Sequence, residues 1–168
     1  MRMGWRVATV AGLVVLGVLA APSLADASLA ISVPAAVNLG SVPSGTRSLS
    51  ARLGVIIVNA NGLVAPSFTA TVSSTAFITG AGGAAQTIGN TLISYWSGPT
   101  TASAGLQTAT PGQVDAAHAE ILSVSRTAFS SSGLVLTIST SWNPTIVIGI
   151  PAAAVAGTYS ATITHSVA

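Results

Sequence analysis

The chain has 168 residues, half of them hydrophobic, and only eight carry a formal charge: five Arg, no Lys, two Asp and one Glu. Phosphate neutralisation needs clustered Lys and Arg, which excludes a nucleic-acid partner, and an ordinary cytosolic enzyme would carry charge on roughly a quarter of its residues. Disorder is excluded by the high apolar content, and the absence of Cys removes any disulfide framework, thiolate metal site or Cys nucleophile.

Residues 1–27 read as a signal peptide. Arg2 and Arg6 form a positive n-region, Val7 to Ala21 an apolar run, and Ala25-Asp26-Ala27 a small-x-small cleavage site after Pro22. The run falls short of the roughly 20 apolar residues that span a bilayer. An uncleaved anchor is the alternative, disfavoured because Pro22 and the cleavage site follow directly. The two Arg are not adjacent, so a general export signal fits better than a twin-Arg one. Cleavage after Ala27 leaves residues 28–168 as a single domain with a sizeable core.

In that domain Arg47, Arg52 and Arg126 stand against Asp115 and Glu120, so charge is nearly balanced. Hydroxyl groups replace charge as the solvating chemistry, and a chain of this kind associates easily near neutrality. Oligomerisation is therefore open. Ser, Thr, Asn or Gly interrupts every later apolar run, so no membrane span is expected in the mature chain.

Taken in order, the mature chain has a period of two nearly everywhere. Asn61-Gly62, between Val55–Val58 and Leu63-Val64, predicts a tight hairpin. Phe68, Ala70 and Val72 alternate with Thr69 and Thr71. Pro99 to Gly112 is weakly patterned and reads as a long loop or a loose edge hairpin. Val114 to Ile121 fits either a helical turn or an extended segment. Leu134, Leu136, Ile138 and Trp142 share one parity, as do Ile146, Ile148 and Ile150. The Ala152–Ala156 run suits a single turn. Tyr159, Ala161, Ile163 and His165 alternate with Ser160, Thr162, Thr164 and Ser166, the cleanest strand pattern in the chain. Turn residues punctuate these runs at Pro43-Ser44-Gly45, Gly80–Gly83, Ser130–Gly133 and Asn143-Pro144. Short strands at this spacing predict an all-β, antiparallel, Ig-like β-sandwich.

The chemistry of sites is sparse. Asp115-x-x-His118-x-Glu120 is the one clustered set of titratable residues, and it supplies two ligands at most in either local geometry. There is no G-x-S-x-G elbow and no phosphate-cradling Gly loop. The expectation is therefore no catalytic residue, no metal and no cofactor. Trp142 and Tyr159 belong by parity to the core, as does His165. Tyr95 and Trp96 are neighbours and point to opposite faces of a strand, so one of them should be exposed or at an edge. They are the candidate ligand contacts, because sugars stack on flat exposed rings.

The C-terminal region, Ser141-Trp142-Asn143-Pro144 through Gly149-Ile150-Pro151 and then Gly157-Thr158-Tyr159 through Ile163-Thr164-His165-Ser166-Val167, resembles the end of WxL-domain-like secreted surface proteins of Gram-positive, high-GC bacteria. Val37-Asn38-Leu39-Gly40, Leu53–Val58 and Phe68–Ser73 are similar in a looser way. The resemblance implies a β-sandwich held non-covalently at the cell wall and without enzymatic activity. His165-Ser166-Val167 stands where that family carries Trp-x-Leu, so no binding residue carries over. The expectation is a secreted, extracellular or cell-wall-associated structural and interaction protein; the alternative is a binding module for envelope polysaccharide, peptidoglycan or another glycan. Partners would be such a polysaccharide or other surface proteins.

Overall fold

The computed structural model describes residues 27–62, 65–134 and 136–168. The expected signal peptide up to Asp26, and Leu63-Val64 of the expected hairpin, lie outside the described residues. The strands are β1 (Ser28–Ser32), β2 (Ser48–Arg52), β3 (Ile56–Asn61), β4 (Ser67–Ser74), β5 (Phe77–Ile78), β6 (Thr87–Ile88), β7 (Ile93–Trp96), β8 (Thr100–Ala104), β9 (Gln107–Pro111), β10 (Glu120–Ile121), β11 (Arg126–Gly133), β12 (Thr137–Trp142), β13 (Thr145–Gly149) and β14 (Ile163–Val167). The fold is an all-β sandwich in which every strand pairing is antiparallel.

One layer is long and bent. Sheet β1-β3-β12-β8 runs on into sheet β10-β7-β13-β2, because β2 leads into β3, β7 into β8 and β12 into β13 in the same lateral order. Short breaks at 53–55, 97–99 and 143–144 make the bend, and Leu53 N donates to Pro144 O across it at 3.0 Å. The second layer is sheet β14-β4-β11-β9, with the two-stranded β5-β6 beyond it. Its order runs in step with the first: β1 meets β14, and the chain crosses directly from β3 to β4, β8 to β9 and β11 to β12.

The core forms where alternating residues of both layers meet. Ile56, Val58 and Ala60 of β3 and Phe68, Ala70 and Val72 of β4 are all buried. In β11 the register shifts between Thr127 and Phe129, and this bulge turns the consecutive residues Ala128 and Phe129 both inward. Phe129 then stacks on Trp142 of the opposite layer, with centroids 4.8 Å apart and planes 20° apart. Gln107 ties the layers together. Its Nε2 donates to Ala104 O and Ser139 O, while its Oε1 accepts from Ser131 Oγ and Thr140 Oγ1.

Several sequence expectations need correction. Asn61-Gly62 does not close a hairpin: β3 pairs with β1 and β12, whereas β4 pairs with β11 and β14. Two strands that each bury an apolar face gain more by facing each other across the core than by pairing edge to edge. Gly62 still adopts a positive φ, and its N–H is taken up by Leu136 O. Residues 99–112 are likewise neither loop nor hairpin, but the edge strands of two different sheets. Ser130–Gly133 lies inside β11 rather than in a turn. Leu134 and Leu136, at 78% and 60% exposure, are not core. They precede the pairing of β12, which starts at Thr137, so the parity of Ile138 and Trp142 does not extend back to them. The C-terminal strand begins only at Ile163. Ahead of it Ser160 makes an isolated bridge to Ile78, and Tyr159 is half-buried rather than in the core.

Candidate functional site

The charged segment sits on the connection between β9 and β10. Asp115 caps a single helical turn, Ala116–His118, because its extended backbone directs Oδ1 at the free N–H groups of Ala117 and His118, 2.9 and 3.2 Å away. His118 Nδ1 joins the same oxygen at 2.7 Å. The His118 hydrogen bond, the largest influence, holds the Asp115 carboxyl below its ordinary value. Both side chains are more than half exposed, at 57% and 64%. Glu120 turns elsewhere. Its Oε2 takes Gln113 Nε2 at 3.3 Å and faces Arg126 Nε at 3.5 Å. The three residues singled out together by spacing are thus divided between two local networks, and no group of three His, Asp or Glu that could hold a metal occurs among the described residues.

The two candidate aromatics separate as neighbours on a strand must. Tyr95 is fully buried, so its ring is not available to a surface ligand. Its hydroxyl lies 3.3 Å from His165 Nε2, with the rings tilted and their centroids 5.9 Å apart. Burial pushes the Tyr95 hydroxyl pKa far up. The Trp142 indole nitrogen, beside that hydroxyl but without hydrogen-bond geometry, acts weakly the other way. Burial also pushes His165 down to about 4, so the imidazole is neutral at ordinary pH. Trp96 is half-buried on the outward face of its sheet. The register places it in one row with Thr145 of β13 and Arg52 of β2.

An opening of about 1180 Å³ lies between loop 34–47 and the connection 150–162. Its cause is architectural. The bent layer continues through β2, β13 and β7, but across from it stand only the two-residue strands β5 and β6 and irregular chain. Leu49, Leu53, Ile56 and Ile148 of the bent layer line the opening together with Ile163 and His165 of β14. The sequence reading missed this site, since nothing in local periodicity says that one layer is shorter than the other.

No known protein family, curated protein or solved structure matches the chain.

Proposed function

We propose that the chain is a secreted or cell-surface-associated structural and interaction protein, WxL-like and non-enzymatic. The observation that carries this reading is the solvent face of sheet β14-β4-β11-β9. Register aligns Thr108, Ser132 and Ser67 in one cross-strand row and Thr110, Ser130 and Thr69 in the next, with Ser166 beside Thr71 and Thr164 beside Ser73. Every one of these side chains is a neutral hydroxyl, a surface suited to contact with uncharged polar partners and poor in the groups that perform acid–base chemistry. Asp115 and Glu120 support the non-enzymatic part, because their oxygens already serve a helix cap and a Gln–Arg pair. The first strand starts at Ser28, the residue that signal cleavage would leave at the N-terminus. Fractionation of cells into cytosol, membrane, wall and medium should place the protein in the last two. N-terminal mass analysis should read Ser28. A cytosolic protein beginning at Met1 or Arg2 would overturn the proposal.

A second reading, an envelope-polysaccharide binding module, is favoured by one row of residues. Trp96 is half-open beside Thr145 and Arg52, an aromatic platform with hydrogen-bonding neighbours. On that reading Trp96→Ala should weaken retention on purified peptidoglycan about tenfold in a sedimentation assay, with the melting temperature little changed. Equal retention of the variant would leave the structural reading alone.

A further inference from the structure

We propose that copies of this chain associate head to tail through their sheet edges, the β1, β2 and β14 side of one copy meeting the β8, β9 and β10 side of the next, so that both layers run on through an open filament. The inference rests on the export reading above, in which cleavage leaves nothing ahead of Ser28, and it names the partner as a second copy. Both layers stop at the same two sides. β1 and β14 are the edges on one side, β8 and β9 on the other, and among the described residues no strand pairs with their outer edges. Each is a five-residue strand, and none of the four contains Lys, Arg, Asp or Glu. Proteins that stay monomeric blunt such edges with charge, proline or bulges. Here these devices amount to Pro111 at the end of β9 and a bulge at Thr101, which leaves Ala102–Ala104 of β8 regular.

The two sides also fit each other. Strand direction alternates across both four-stranded sheets, so β1 runs opposite to β8 and β14 opposite to β9. A neighbour shifted by four strand positions therefore brings its β1 antiparallel to β8 and, in the other layer, its β14 antiparallel to β9. The bent layer is stepped in a matching way. β1 stands beyond β3 but not beyond β2, and β10 stands beyond β7 but not beyond β8. The same shift seats the neighbour's β1 in the recess beside β8 and lays its β2 against β10, again antiparallel. Charge has the same polarity. Arg52 lies on the β2 edge with Arg47 just ahead of it, whereas Glu120 lies on β10 and Asp115 on the segment leading to it. Among the described residues neither Arg47 nor Arg52 forms an ion pair. A two-fold pairing of the β2 side with itself would set arginine against arginine, and the head-to-tail contact sets arginine against carboxylate. Leu29, Ile31, Ile163 and Val167 of the β1 and β14 edges pack only partly against the core, and a second copy finishes their burial.

The test uses the exported protein, its N-terminus first read as Ser28 by mass analysis. As concentration rises, sedimentation velocity should show species growing without a fixed upper size, and negative-stain electron microscopy thin unbranched filaments. Ile31, Val58, Thr140 and Ser103 form one inward row that ends exposed at Ser103. Ser103→Lys places a charge where the neighbour's β1 would cover it and should raise the concentration needed for assembly at least about tenfold. The melting temperature of the dilute variant should stay unchanged, because Ser103 is exposed in the single copy. Arg52→Glu should raise the same concentration several-fold. The described chain has no Cys, so introduced pairs report the geometry. Ala30 and Ala104 stand three strands apart within one copy, about 14 Å and too far to bridge, whereas the neighbour's Ala30 comes beside Ala104. Ala30→Cys combined with Ala104→Cys should therefore give disulfide-linked multimers under mild oxidation, and neither substitution alone should. A chain starting at Ser28 that stays monomeric, a closed dimer, cross-linking by Ala104→Cys alone, or assembly indifferent to Ser103→Lys would each overturn the proposal and leave the export reading standing; a retained leader would remove both.

Discussion

Trp142→Ala is expected to destabilise the fold by about 3–5 kcal/mol, the range for truncating a large buried aromatic. Trp142 is fully buried and stacks on Phe129, so its removal opens a void between the two layers at the point where β11 bulges to meet β12. The same void would face the Tyr95 hydroxyl, which is buried beside the Trp142 indole. Urea unfolding followed by circular dichroism should show a lower midpoint at an unchanged slope. Trp142→Phe should cost much less, because it keeps the ring stack and deletes an indole N–H that has no hydrogen-bond partner. An unaltered midpoint for Trp142→Ala would mean that the two layers do not pack through this contact.

Acid should weaken the protein through His165. Its folded-state pKa is about 4, below the ordinary value of 6.5, because burial opposes the imidazolium. Between those two pH values the unfolded chain binds a proton that the folded chain rejects. The contribution of His165 is therefore fully present above about pH 6.5, is lost progressively as pH falls toward 4, and is constant below. The size of the loss is about 2–3 kcal/mol, allowing for a side chain that is only partly shielded. Asp115, whose carboxyl is also held low, adds a loss of the same sign at lower pH. Denaturant unfolding at a series of pH values should show the slope, and His165→Gln should flatten it between pH 6.5 and 4. A His165→Gln variant with the same pH dependence as the parent would assign the acid sensitivity to other groups.

The all-β character was legible in the sequence because it rests on local rules. Alternation in Phe68–Val72 and Ile146–Ile148 fixes which side chains face inward, and the structure buries Phe68, Ala70, Val72, Ile146 and Ile148 as that alternation requires. Parity also placed Trp142 in the core and put Tyr95 and Trp96 on opposite faces. Parity fails where pairing stops. Leu134 and Leu136 match the period of Ile138 but lie outside the ladder, and Tyr159 precedes the strand whose alternation it shares. Of the two local geometries open to Val114–Ile121, the helical turn is the one adopted, and it brings Asp115 and His118 into contact.

Partner choice between strands is different in kind, because it depends on residues far away in the chain. Asn61-Gly62 has the composition of a hairpin turn, yet β3 and β4 separate into opposite layers, since the area buried across a sandwich outweighs the preference of one dipeptide. Gln107 looks like an ordinary polar residue in a weakly patterned stretch. Only folding brings Ala104, Ser131, Ser139 and Thr140 around its amide. His165 and Tyr95 are 70 positions apart, on strands of different sheets, and only the folded chain brings their side chains together. The cavity beside Arg47 arises because the second layer ends in two-residue strands where the first continues. The sequence by itself thus determined strand character, inward faces and the scarcity of charge, all of which are set by neighbours along the chain. Tertiary structure alone decided which strands pair, where Tyr95 and His165 meet and where the core is left open, because these depend on how much apolar surface distant segments can bury against one another.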